Sequence, residues 1–242
     1  MAPTSVPKSA WLDTLPGWAR ELSEKYYSRT LTMFALHGNV RDLGALRRGG
    51  STEYCSLNRS LQAALFGQRD LVWTYDRGGG LSFAEPRMQE DFRQALSGYD
   101  QFHGSNYSAA LPRNPDGVLS LLDNYLRLRI ADGKKIALII DFAETIVPAG
   151  DVSALAAEDR NALVTLKRWA QHPAFLRADV TICLIAENLT QLNSGLIQNP
   201  GVAAISIPLP GESERLEFIC AAGDFRRRTA SPPPRWLRSP PG

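Results

Sequence analysis

Asp141 is the residue in this chain best placed to do chemistry. It ends the run Lys134-Lys135-Ile136-Ala137-Leu138-Ile139-Ile140, whose five consecutive apolar residues suit a strand buried on both faces of a parallel sheet. Open α/β sheets place functional groups at the carboxyl ends of such strands. An aspartate there can hold Mg²⁺, directly or through water, or serve as a polar cap at the sheet edge. His37 sits in the same way at the end of an earlier apolar run, but a lone histidine without a carboxylate or cysteine nearby is the mark of a structural residue. His103 and His172 have no metal-ligand spacing, and the chain contains no G-x-S-x-G, H-E-x-x-H or zinc pattern. Gly78-Gly79-Gly80 lacks a lysine and reads as a plain loop. Cys55, Cys183 and Cys220 are odd in number and far apart, as expected of core thiols in a reducing compartment.

The elements that would position Asp141 follow from the hydrophobic pattern. Strands are expected at 31–36, 70–75, 136–140, 180–186 and 203–207, alternating with helical periods at 11–28, 57–66, 85–96, 118–130, 155–171 and from 212. That alternation calls for a three-layer, doubly wound α/β fold with a mainly parallel five-stranded sheet. At 242 residues and 44% hydrophobic the chain can bury a large core. Its net charge of +2 comes from the tail: without 221–242 the body holds 22 basic and 24 acidic residues, so nothing argues for nucleic acid. The start has no export signal and no apolar run is long enough for a membrane span, which predicts a cytoplasmic protein. The expected organisation is an unstructured 1–10, an α/β core over 11–219, and an Arg/Pro-rich unstructured tail over 220–242.

One segment carries a specific resemblance. Ile205-Ser206-Ile207-Pro208-Leu209-Pro210-Gly211-Glu212-Ser213-Glu214-Arg215-Leu216-Glu217 closely resembles the end of the AAA+ ATPase core, where an I-x-I-P-L-P strand leads into the first helix of a helical lid. Asn188-Leu189-Thr190-Gln191-Leu192 is similar to that family's sensor-1 segment, with an asparagine capping the fourth strand. The resemblance implies an AAA+-type core with most of the lid missing, ATP and Mg²⁺ as ligands, and assembly into an oligomer or onto an active AAA+ module. It puts the Asp141 strand in the Walker B place, with Asp141 on the metal, and gives Glu144 and Asn188 as catalytic candidates.

The departures bear on activity. A P-loop needs G-x-x-x-x-G-K-[ST] after the first strand. Here that place holds His37-Gly38-Asn39-Val40-Arg41-Asp42-Leu43, with one glycine and no Gly-Lys. Phe142 stands where the family has its water-activating glutamate, and Val202-Ala203-Ala204 follow Pro200-Gly201 where it has an arginine finger. The expectation is a non-hydrolysing, P-loop-deficient module that serves assembly or regulation. Alternatively the chain is an ATP-binding enzyme in which His37, Gly38, Asn39 and Arg41 form an atypical phosphate cradle. Without a lysine facing the phosphates, ATP and Mg²⁺ would bind weakly. A receiver-like domain, suggested only by an aspartate ending the third strand, lacks that fold's acidic pair and lysine. The resemblance also leads us to expect a P-loop-bearing module further on, with 226–242 standing in its place.

Overall fold

Parallel strands cannot be joined by tight turns, so each must be reached through a crossover, usually a helix. The computed structural model describes residues 15–48 and 51–229. The chain begins with α1 (Gly17–Tyr27) and β1 (Met33–Gly38), then a hairpin of β2 (Gly44–Arg48) and β3 (Ser51–Cys55). A short α2 (Leu57–Ser60) runs on as a π-helical turn at Leu61–Leu65. β4 (Leu71–Asp76) and β5 (Gly80–Phe83) precede α3 (Pro86–His103) and α4 (Pro115–Ala131). After β6 (Ile136–Ile140) come α5 (Ala157–Gln171), α6 (Pro173–Arg177), β7 (Val180–Ile185), α7 (Ser194–Ile197) and β8 (Val202–Ile207). These form one compact unit that ends at Pro208; a second begins at Leu209 and contains α8 (Glu212–Thr229).

Six strands make the main sheet in the order β5-β4-β6-β7-β1-β8. All neighbours are parallel except β4 and β5. The five expected strands are therefore present as β1, β4, β6, β7 and β8. The sixth, β5, forms where a plain glycine loop is expected: amides of Gly78 and Gly79 donate to the Asp76 carboxylate and fold the chain back on β4. The β2–β3 hairpin is also additional to the sequence reading.

Two helical layers enclose this sheet because successive residues of a strand point to opposite faces. On β4, Trp73 packs against Tyr125 of α4, and Phe92 of α3 meets Tyr125 edge-on, with ring centroids 5.5 and 4.8 Å apart. Its neighbour Thr74 turns the other way and accepts from Gln62 in the π-helical turn. β6 lies between β4 and β7 with every residue buried, as its unbroken apolar run requires.

Helix ends differ from the periodicity in instructive ways. α3 continues past Ser97-Gly98 to His103, where Tyr99 stacks on His103 one turn away and Gly104 supplies a left-handed cap. In the second unit, α8 runs through Arg226-Arg227-Arg228 to Thr229, beyond the point where the sequence pattern fades. Residues 1–14 and 230–242 lie outside the described residues, and with them both expected unstructured ends, apart from 220–229 in α8. Among the described residues no helix is long and apolar enough to cross a membrane.

Two side-chain environments in this fold have measurable consequences. Burial alone would raise the pKa of Asp100, but the Ser105 hydroxyl and the amides of Ser108 and Tyr107 donate to it and hold it well below the usual carboxylate range. A lowered pKa stabilises the fold above the unfolded value of about 3.9, and that gain is lost as pH falls through the folded pKa. Asp100→Asn should therefore speed amide exchange at 105–108 at neutral pH; unchanged exchange would contradict this. Gly38 has φ of +96°, and a Cβ there would lie 2.5 Å from the Ile207 carbonyl oxygen on β8. Gly38→Ala should destabilise the fold by on the order of 1–3 kcal/mol in denaturant unfolding, and a neutral result would contradict the packing.

Candidate functional site

The carboxyl ends of β1, β6 and β7 converge because these strands lie close together in a parallel sheet, and open sheets of this kind bind ligands there. Asp141 caps β6 with its amide bonded to the Tyr75 carbonyl, and it is 9% exposed. A buried charge requires partners, and Asp141 has three. Oδ1 accepts from Nη1 of Arg41 at 2.6 Å and from the Phe142 amide at 2.8 Å. Oδ2 accepts from Nδ2 of Asn58 at 2.7 Å.

Arg41 is held on three sides. Besides Asp141, its Nε lies 3.5 Å from Glu187, the residue two beyond β7. Its guanidinium sits over the Phe142 ring, 3.8 Å from the centroid. Phe142 has φ of +49°, a left-handed conformation unusual for a non-glycine residue. That backbone presents its ring to Arg41 and turns its amide onto Asp141.

The loop that delivers Arg41 is tied down one residue at a time. Gly38 donates its amide to the Glu187 carbonyl at 2.9 Å, and Asn39 donates to the Ile207 carbonyl at 2.9 Å. Val40 donates back to the Gly38 carbonyl at 2.8 Å, and its side chain is buried. His37 is half-buried in register with Ser206 of β8. Residues 39–56, with the β2–β3 hairpin, then separate β1 from α2, whereas a phosphate loop joins strand and helix through one tight turn.

The other sequence candidates lie around this cluster. Glu144 is in a 3₁₀ turn, Ala143–Thr145, directly after Phe142. Its Oε2 is shut off from water with no hydrogen-bond partner among the described residues. Asn188 is exposed and opens the turn Leu189–Gln191, its amide accepted by the Gln191 side chain at 3.1 Å. Thus Arg41 and Asp141 meet directly, Gly38 and Asn39 contribute backbone, and Glu144 and Asn188 flank them. Asn58 and Glu187 are not among the site residues expected from the sequence. Glu187 had a legible signal, a carboxylate directly after an apolar strand; Asn58 had none.

Mg²⁺ and a triphosphate do not fit these donors as they stand. A cation at Asp141 would have to displace a guanidinium and an amide that already satisfy it. Phosphates over β1 would meet amides at Gly38, Asn39 and Val40 that already donate to carbonyls. Among the described residues no group of three or more His, Cys, Asp or Glu is arranged to hold a metal ion.

A chain in a solved structure described as the E. coli MS115-1 HORMA:CdnC:Trip13 complex shares 16% identity with a TM-score of 0.49, over 88% of this chain and 65% of that one. The present chain thus spans less than two thirds of that chain's length. No curated protein matches. The model of a family described as "AAA+ chaperone, N-terminal Rossmann-like domain" matches residues 3–208, which is most of the sequence and the whole of the described sheet. The chain therefore belongs to the AAA+ family, as an AAA+ chaperone N-terminal Rossmann-like domain.

Proposed function

We propose that this chain is a P-loop-deficient AAA+ module that does not hydrolyse ATP and instead supports assembly or regulation of an active ATPase module or of its own oligomer. The observation that carries most weight is the state of the loop after β1. Its amides at Gly38, Asn39 and Val40 are committed to protein carbonyls. A phosphate cradle works through amides left free to converge on a ligand. Phe142 in place of a water-activating carboxylate, and the arginine-free segment after Pro200-Gly201, point the same way. The AAA+ family typically binds ATP and Mg²⁺; here we expect binding to be weak or lost. The free thiols Cys55 and Cys183, both buried, suit a reducing cytoplasm, whereas Cys220 on α8 is exposed and is not the core thiol expected from the sequence.

A second reading keeps an enzyme. In it, Arg41 swings from Asp141 to bind phosphate, Asp141 takes Mg²⁺, and Glu144 serves as base. The unpartnered Oε2 of Glu144 favours it, because a carboxylate oxygen shut from water needs a reason to stay unsatisfied.

Titration with a fluorescent ATP analogue and Mg²⁺ separates the two. The first reading predicts no saturable binding at submillimolar concentrations and no ATP turnover above controls. Saturable binding that is lost in Asp141→Ala would favour the second, and turnover by the purified chain would overturn the first.

A further inference from the structure

We infer that Arg41 is a built-in cation for Asp141. Its guanidinium takes the charge position at the strand end that a dissociable ligand would otherwise have to fill, and so keeps this face of the sheet ordered without a ligand. The inference deepens the non-hydrolysing reading of the same site and rests on it.

Asp141 joins β6 to α2 through Asn58 and to the post-β1 loop through Arg41. Arg41 extends the connection to the end of β7 through Glu187. One guanidinium thus lies between two carboxylates, a geometry its planar, multi-donor fork suits and a lysine ammonium does not. The Phe142 ring covers one flat face, and Phe142 reaches that position only through its left-handed backbone. A non-glycine residue in that region is disfavoured and persists only where surrounding contacts over-determine it. Here those contacts are the stack on Arg41 and the hydrogen bond that the Phe142 backbone N–H donates to the Asp141 carboxylate.

The physical difference from a ligand-ordered site lies in concentration. A dissociable ligand stabilises a site in proportion to the logarithm of its excess over Kd. A tethered guanidinium is intramolecular, with a high effective concentration that no chelator or dilution changes. Order at the ends of β1, β6 and β7 should therefore be constant across conditions in which nucleotide and Mg²⁺ vary.

Amide hydrogen exchange on the full chain tests this. In the wild type, exchange at 39–47 and 141–145 should be the same in EDTA as in millimolar Mg·ATP. Arg41→Met should accelerate exchange in both segments by ~10-fold or more, since a pair of this kind contributes about 1.4 kcal/mol or more. Exchange in β4 and over residues 180–183 of β7, away from the strand's carboxyl end, should be unaffected. Asp141→Asn, which keeps the shape and removes the partner charge, should give the same pattern and serves if Arg41→Met does not fold. Unchanged exchange in either variant would overturn the inference and leave the non-hydrolysing reading standing. Slower exchange on adding Mg·ATP to the wild type, lost in Arg41→Met, would make Arg41 a phosphate ligand and overturn the inference, whereas only ATP turnover by the purified chain would overturn the non-hydrolysing reading.

Discussion

The contact between Arg41 and Asp141 joins residues a hundred positions apart in sequence, and the arrangement of the sheet's carboxyl end turns on it. A parallel sheet gathers the ends of its central strands on one edge, where backbone groups leave the ladder and polar side chains begin. Asp141 is nearly buried there, so an unpaired carboxylate would be costly. Nucleotide-binding sheets meet this constraint with a ligand. This chain meets it with its own guanidinium, its own asparagine and the amide of the next residue.

Several other features follow from that solution. The loop after β1 must bring Arg41 back over the sheet, so its first residues are pinned to the neighbouring strand ends. Gly38 bonds to Glu187 and Asn39 to Ile207, while buried Val40 anchors the turn. Gly38 is required because the Ile207 carbonyl leaves no room for a Cβ. Phe142 occupies a strained backbone region and sets its ring against the guanidinium. The β2–β3 hairpin fills the chain length between the loop and α2, and α2 then places Asn58 against Asp141. The fully buried β6 holds Asp141 at a fixed height in the sheet.

Much of this fold is legible in the sequence because its central strands are continuous apolar runs. Ile136–Ile140 and Val180–Ile185 can hardly be anything but buried strands. The edge elements are harder. β5 is Gly80-Leu81-Ser82-Phe83, too short and mixed for periodicity to mark, and Asp76 creates it by folding the Gly78-Gly79 turn. The hairpin did leave a signal, since Gly49-Gly50 lies between two strand-length segments, a spacing typical of tight hairpins. For the site, Asp141 and Arg41 stood out as residue types, one ending a strand and the other in the loop after one. That they would satisfy each other was not legible. It depends on β6 and β1 both flanking β7, which sequence order alone does not specify. Asn58 is the extreme case, because a single asparagine in a short polar helix carries no mark of its partner.

Protein groups, and not a ligand, satisfy the strand ends. A double-mutant cycle between Arg41→Met and Asp141→Asn, read by denaturant unfolding of the full chain with and without Mg·ATP, tests this most directly. A coupling energy of about 1–3 kcal/mol, the same in both conditions, is expected. A coupling near zero, or one that falls when Mg·ATP is added, would contradict it.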